Sequence, residues 1–440
     1  MFAAPHEPRD VLVRGAHVLD PREGVDEPLD VLVRDGVVAE LGAPGSMPDA
    51  GAETIDAEGR HLFPAFFDPH VHFRAPGQEH KEDIETGTAA AAAGGYCGVV
   101  CMPNTDPVVD DASILGSLTE TARRVSGVPV GFLAAITRGM NGTDLTEMAE
   151  LRDAGALGFT DDGRPLVSAG MLRRALQYQR LAGGVVALHE EDPSLSGQGS
   201  MHEGAVSALL GLTGIPSISE STMVARDAAI ARYEDARVHF QHLSACESVD
   251  ALRAAKASGA KVTAEVSPHH LTLTDEAVRS LDTRLKMNPP LRTENDRQAL
   301  IDGVRDGAID CIATDHAPHA RHEKEVPWEE APMGTTGLET AFAAVHTELV
   351  VPGVLPLGRV VDALSRGAET LDEPVPAIRV GAEANLVLVD LGASWEAGAE
   401  GYASRSENCC FHGRALQGRV ELTVAAGSVA YERAAALVSS

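Results

Sequence analysis

Between residues 68 and 74 the chain reads Asp68-Pro69-His70-Val71-His72-Phe73-Arg74. In an extended strand, side chains two apart lie on one face, so His70 and His72 present two imidazoles together and Arg74 continues the row. Imidazoles suit zinc, nickel, cobalt and manganese. One HxH alone is a weak metal signal, and histidines held in structural hydrogen bonds are the bland alternative. Further along, however, apolar runs end in Gly158-Phe159-Thr160-Asp161-Asp162, Ala187-Leu188-His189, Phe240-Gln241-His242 and Ala313-Thr314-Asp315-His316. Four histidines and two aspartates are enough donors for two divalent cations that share a bridging carboxylate. Alternation does not choose between Asp161 and Asp162; the one that faces away becomes a supporting or helix-capping group. His316, next to Asp315, is expected to point the other way.

These donors converge only if the scaffold gathers strand ends at one place. Residues 61–370 alternate short apolar strands with Ala-rich helical stretches such as Glu82–Ala93 and Met171–Leu181. The strands end near His70, Met102, Thr137, Thr160, His189, His242, Pro268 and Thr314. Eight strand–helix repeats predict an α/β chain built on a (β/α)8 TIM-like barrel, with chemistry at the C-terminal strand ends. Both chain ends read differently. Val11–Val13, Asp30–Arg34 and Val37–Leu41 near the start, and Asn385–Asp390, Gly418–Ala425 and Ser428–Tyr431 near the finish, are short strands with turn signals, including the hairpin dipeptide Asp35-Gly36. The expected division is a small β-sandwich from 1–60 with 375–440, and a catalytic barrel over 61–374.

Hydrophobic residues make up 44% of the 440, enough for a large core. The formal charge of −29, from 36 basic against 65 acidic residues, argues against nucleic acid and anionic membranes as partners. A substrate bearing carboxylates would need local arginines to overcome that field. No apolar run approaches the roughly 20 residues that span a bilayer, and Met1–Asp10 is polar, unlike a secretory leader. Six cysteines without a CxxC pair read as reduced thiols. A cytoplasmic location is expected.

His70–Arg74 as HVHFR, Met102–Thr105 as MPNT, Ser267–His270 as SPHH and Ala313–His319 as ATDHAPH resemble the amidohydrolase superfamily. Together with GQEHKEDIETGT, FTDDG, KVTAEVSPHH and KMNPPLR, the chain is similar to the bacterial class I dihydroorotases along nearly its whole length. That resemblance implies two zinc ions, with His70, His72 and Asp315 on one, His189 and His242 on the other, and Asp162 bridging. The related hydantoinases, dihydropyrimidinases and allantoinases bridge with a carboxylated lysine on the fourth strand. Here no lysine lies between Lys81 and Lys256.

The resemblance also implies the reaction: reversible hydrolysis of dihydroorotate to N-carbamoyl-L-aspartate, in pyrimidine biosynthesis, by a metal-activated hydroxide with Asp315 as base and then acid. It assigns Arg74, Asn104 and His319 to the substrate carboxylate, Asn288 to the ring, backbone at Met333 and Gly334 to the same pocket, and His72 to its wall. The competing readings are a hydantoinase-like or allantoinase-like ring opener, and a non-catalytic subunit of an aspartate transcarbamoylase complex. A homo-oligomer and an association of the active chain with that transcarbamoylase are both left open. The polar stretch Arg321–Glu330, which contains Trp328, reads either as a lid or as an ordinary solvated loop.

Overall fold

The computed structural model describes residues 8–48 and 51–433; most of the polar start read above, and the last residues of the expected 375–440 unit, lie outside them. Near the start come strands β1 (Val11–Asp20), β2 (Val25–Arg34), β3 (Val37–Gly42), β4 (Glu53–Asp56) and β5 (His61–Pro64). Then follow β6 (Phe66–Val71), β7 (Tyr96–Cys101), β8 (Val130–Ala134), β9 (Gly158–Thr160) and β10 (Val185–Leu188). A two-stranded excursion, β11 (Met201–His202) and β12 (Gly214–Ile215), precedes β13 (Val238–Phe240), β14 (Val262–Val266) and β15 (Cys311–Ile312). The chain returns through β16 (Leu386–Glu396), β17 (Ala415–Ala425) and β18 (Ser428–Glu432).

The barrel strands run in the order β15-β14-β13-β10-β9-β8-β7-β6, with parallel neighbours. Each ends within about three residues of the position expected from its apolar run. Every residue of β6, β7 and β8 is buried, as strands covered on both faces require. The ring closes through a parallel bridge of Val71 with His316 and the His72 N–H donating to the His316 carbonyl at 2.9 Å. Asp68 seals this seam, because its carboxylate accepts both the Thr314 N–H at 3.2 Å and the Thr314 hydroxyl at 2.5 Å.

Helices between the strands start and stop where local chemistry dictates. The helix Ile84–Ala93 begins at Asp83, whose side chain accepts the Thr86 N–H at 2.9 Å. Ala169–Ala182 begins at Ser168 and stops at Gly183, where φ is +74°. No helix among the described residues is long and apolar enough to cross a membrane.

Strands from both chain ends form a separate sheet in the order β18-β17-β16-β5-β1-β2-β3, with β4 paired to β1. Its core joins Val11, Val13, Val31, Val33, Leu62, Leu386, Leu388 and Val424. Asp35 and Gly36 both have positive φ, 50° and 78°, which matches the right-handed twist of a two-residue hairpin. The sheet curls so far that this turn meets the turn between β17 and β18, where a Cβ on Gly427 would come 2.2 Å from Gly36 Cα. Between β16 and β17 the chain leaves the sheet and reaches the barrel mouth. There the Asn408 side chain accepts the His319 N–H at 3.0 Å and donates to the carbonyls of Ala317 and Gly334.

Candidate metal centre and active site

All six expected donors lie at or just beyond C-terminal strand ends. His70 is on β6 and His72 follows it; Asp162, His189, His242 and Asp315 come within three residues after β9, β10, β13 and β15. Simple alternation does not carry all of these side chains to one point. Arg74, His242 and Asp315 have φ of 57°, 33° and 48°, in the left-handed region that L-residues rarely occupy. Such conformations persist where surrounding contacts over-determine them, and they gather at functional sites.

The structure brings all six donors together. His70 Nε2 lies 3.6 Å from Asp162 Oδ1 and 3.6 Å from Asp315 Oδ1. His72 Nε2 is 3.4 Å from Asp162 Oδ2 and 3.1 Å from Asp315 Oδ1. The same Asp162 Oδ1 is 3.7 Å from His189 Nδ1 and 3.6 Å from His242 Nε2, and these two nitrogens are 2.9 Å apart. Two donors about 2.1 Å from one tetrahedral ion would lie about 3.4 Å apart, so the spacing fits ligands gathered around a cation. The six residues are 0–8% exposed, yet His70 Nε2 and Asp162 Oδ1 find no hydrogen-bond partner in the protein. Buried polar atoms left in this way are costly unless something else satisfies them. Two candidate clusters result, His70–His72–Asp162 and Asp162–His189–His242, sharing Asp162.

The outward nitrogens of three imidazoles are supported. His70 Nδ1 is 2.5 Å from Glu265 Oε1, His189 Nε2 is 3.2 Å from Glu191 Oε2, and His72 Nδ1 is 2.9 Å from Asn104 Oδ1. Neither glutamate was singled out from the sequence. Signals for both exist: Glu265 is a charge inside the apolar strand β14, and Glu191 follows His189 by the same two-residue step that joins His70 to His72. Asp161 turns away and accepts the Ile136 and Thr137 N–H groups at 2.8 and 3.0 Å, which leaves Asp162 to face the donors. His316 also points away, its ring lying between Glu82 and the Gly337 N–H.

The residues expected around a substrate line the same mouth, already engaged with the protein. Arg74 Nε donates to the Pro318 carbonyl at 3.1 Å. Asn104 Nδ2 donates weakly to Asp162 Oδ2 at 3.3 Å, and Asn288 Nδ2 donates to Glu191 Oε2 at 2.7 Å. His319 Nε2 donates to the Met333 carbonyl at 2.8 Å, while its buried Nδ1 has no partner. The Gly334 N–H donates to the Lys286 carbonyl at 2.9 Å. Gly334 sits at φ 136°, and a Cβ there would meet His319 Nε2 and Ala317 Cβ at 2.9 Å. The stretch Arg321–Glu330 leaves six of its ten residues exposed but turns two side chains inward. Trp328 is buried with Nε1 donating to Ser200 Oγ at 3.1 Å, and the buried Lys324 and Lys286 ammoniums donate to carbonyls on and around it.

Electrostatics favour a cation. Burial opposes ionisation of Asp162, but His70 and the neighbouring imidazoles outweigh it and hold the carboxyl well below its usual range. Asp315 is likewise held down to about 2, because contacts with His72 and His70 overcome desolvation. Glu191, despite partial burial, is kept at about 2 by His189. For His70, burial is outweighed by Glu265 and Asp162, which raise it well above the usual imidazole value. Desolvation lowers Arg74 to about 10, so it stays charged at neutral pH. His319, lowered to about 2 by burial and by Arg74, is a neutral imidazole.

A family model described as Dihydro-orotase-like matches residues 59–248, and one described as Amidohydrolase family matches 225–430. The dihydroorotase of Pelotomaculum thermopropionicum is 47% identical over 422 residues, covering 95% of this chain and 98% of its own. That of Geobacter metallireducens is 44% identical over 425 residues, covering 96% and 100%. Among solved structures, the L-hydantoinase (dihydropyrimidinase) of Arthrobacter aurescens has a TM-score of 0.86 at 25% identity over 96% of each chain. A dihydropyrimidinase from Brevibacillus agri, at 0.83 and 22% identity over 96% and 95%, shares the fold.

Proposed function

The chain belongs to the dihydroorotase family of amidohydrolases, and from that premise we propose that it reversibly hydrolyses the ring amide of dihydroorotate to N-carbamoyl-L-aspartate. The observation that carries this reading is the meeting of four histidines with Asp162 at 3.4–3.7 Å, with Asp315 at 3.1 and 3.6 Å from His72 and His70. In the proposed centre His70, His72 and Asp315 would hold one divalent ion, zinc by the resemblance, His189 and His242 would hold a second, and Asp162 would serve both. Such a pair, when bound, makes water a competent nucleophile near neutrality and polarises an amide carbonyl.

The chain's own residues do the rest. Asp315 takes the proton of the attacking water at its carboxylate and returns it to the departing ring nitrogen. Beside His72 and His70 its carboxyl is held down to about 2, so it is ionised at neutral pH. Arg74 provides a planar, charged fork for the substrate carboxylate. The loosely held Asn104 amide N–H, and the His319 Nε2–H that now donates to the Met333 carbonyl, contribute beside it. Asn288, now on Glu191, would take the ring edge, with Met333 and Gly334 backbone forming the far wall. The catalytic unit is the barrel over 61–374, with Asn408 from the returning chain buttressing His319.

The hydantoinase-like alternative draws on the TM-score of 0.86. Against it stands the fourth strand, where Asp162 faces the histidines and no lysine lies between Lys81 and Lys256. The non-catalytic alternative would leave the convergence of all six donors without a purpose. Turnover of dihydroorotate measured beside hydantoin and allantoin, together with metal content, tests the proposal. Hydrolysis of dihydroorotate alone is expected; preference for hydantoin or allantoin would overturn it.

A further inference from the structure

We infer that Glu265 is a positioning residue that holds donors of both metal clusters in register from inside the barrel, opposite Asp162. The inference rests on the metal centre proposed above and extends it to a residue that is not itself a ligand. Glu265 lies on β14, is 1% exposed, and divides its two oxygens among three partners. Oε1 accepts from His70 Nδ1 at 2.5 Å and from the His242 backbone N–H at 3.1 Å. Oε2 meets His239 Nε2 at 3.0 Å, and the other nitrogen of that ring is 2.9 Å from Thr263 Oγ1.

One oxygen therefore touches a member of each cluster. For His70 the contact fixes which nitrogen keeps its proton: with Nδ1–H held on the carboxylate, an arriving ion displaces the Nε2 proton and meets that lone pair. That Nε2 is the buried nitrogen with no protein partner. For His242 the contact is with the backbone, at a residue whose φ of 33° needs outside support to persist. An ionised carboxylate in an apolar barrel is costly. Its strand neighbours Ala264 and Val266 are fully buried and apolar, so packing alone does not call for a charge here. Although His239, Glu265 and Cys311 lie close enough to ligate an ion, both nitrogens of His239 are committed to Thr263 and Glu265. This trio reads as support for the centre above it, not as a third ion site.

The test uses the full chain, stripped of metal, as wild type, Glu265→Gln and Glu265→Asp. The first keeps length and loses charge; the second keeps charge and loses reach. Zinc dissociation constants are read by competition with a chromophoric chelator, and the fold of each stripped protein by circular dichroism and thermal midpoint. Both variants are expected to bind zinc about 10–100-fold more weakly, with the stripped fold intact and turnover recovering when zinc is raised to saturation. His239→Gln, which removes only the lower contact, is expected to stay within about threefold of wild-type affinity. A folded variant at Glu265 that binds zinc as tightly as wild type overturns the inference and leaves the centre standing. So does a His239→Gln protein that loses as much affinity as Glu265→Gln, since packing would then be the cause. Failure of the wild type to bind zinc would instead sink the metal centre itself.

Discussion

The terminal sheet packs Val11, Val13, Val31, Leu386 and their apolar neighbours into its core, and buries Asp20 and Asp30 with backbone N–H groups on their carboxylates. It keeps its adjacent positive-φ pairs, Asp35–Gly36 and Ala426–Gly427, in hairpin turns. At the barrel mouth the buried side chains are histidines and carboxylates, and three residues sit in strained backbone. Both regions are built from strand ends, yet they spend folding energy in opposite directions. The sheet gains from apolar burial. The mouth carries desolvated charges and left-handed residues that lower stability unless contacts and ions offset them. Substitutions in the two regions should therefore separate cleanly, chemistry being lost at one and stability at the other.

The sharpest separation is expected from Asp315→Asn. Removing the proton acceptor should cut turnover by about 10²–10⁴-fold while substrate binding, followed by calorimetry, stays detectable. Near-normal turnover would remove Asp315 from that role. Next comes the sheet: Leu386→Ala should cost about 2–5 kcal/mol of unfolding free energy, read by denaturant titration, with kcat per folded molecule unchanged. If it instead altered kcat, the two regions would not be separable. Third, Arg74→Lys replaces a fork with a point charge and should raise KM by roughly 10–100-fold; an unchanged KM would count against the carboxylate clamp.

The smallest effect tests the staple beside the mouth. Burial lowers Lys324 from its usual 10.5 to about 7. Between those values the unfolded chain keeps a proton that the folded chain has released, so folding gains stability as pH rises through that window. Below 7 both states are protonated and the cost of burying the charge is fully present. Relative to Lys324→Met, the wild type should gain up to about 1.4 kcal/mol per pH unit between pH 7 and 9. A difference that stays flat with pH would show that Lys324 titrates normally.

Much of this contrast was legible before any coordinates. Apolar runs that end in His or Asp mark barrel strand ends because parallel strands are buried on both faces, and each run ended where its donor began. Asp162 over Asp161 was not decidable from alternation; the choice follows from Asp161 being drawn to the backbone of Ile136 and Thr137, some 25 residues earlier. Glu265 and Asn408 were missed because their partners lie 195 and 89 residues away, as His70 and His319, and such pairings leave no local period. By composition Arg321–Glu330 allows either a lid or a solvated loop. In the fold its lysine and tryptophan turn inward, since ammonium and indole N–H groups can satisfy carbonyls and a hydroxyl there.

The central claim is most directly tested by anomalous diffraction from crystals of the protein grown with zinc. Two peaks are expected flanking the Asp162 carboxylate, about 3.5–4 Å apart, one against His70 and His72 and the other against His189 and His242. Zinc bound elsewhere, with no density beside Asp162 in a protein that turns over dihydroorotate, would contradict the account.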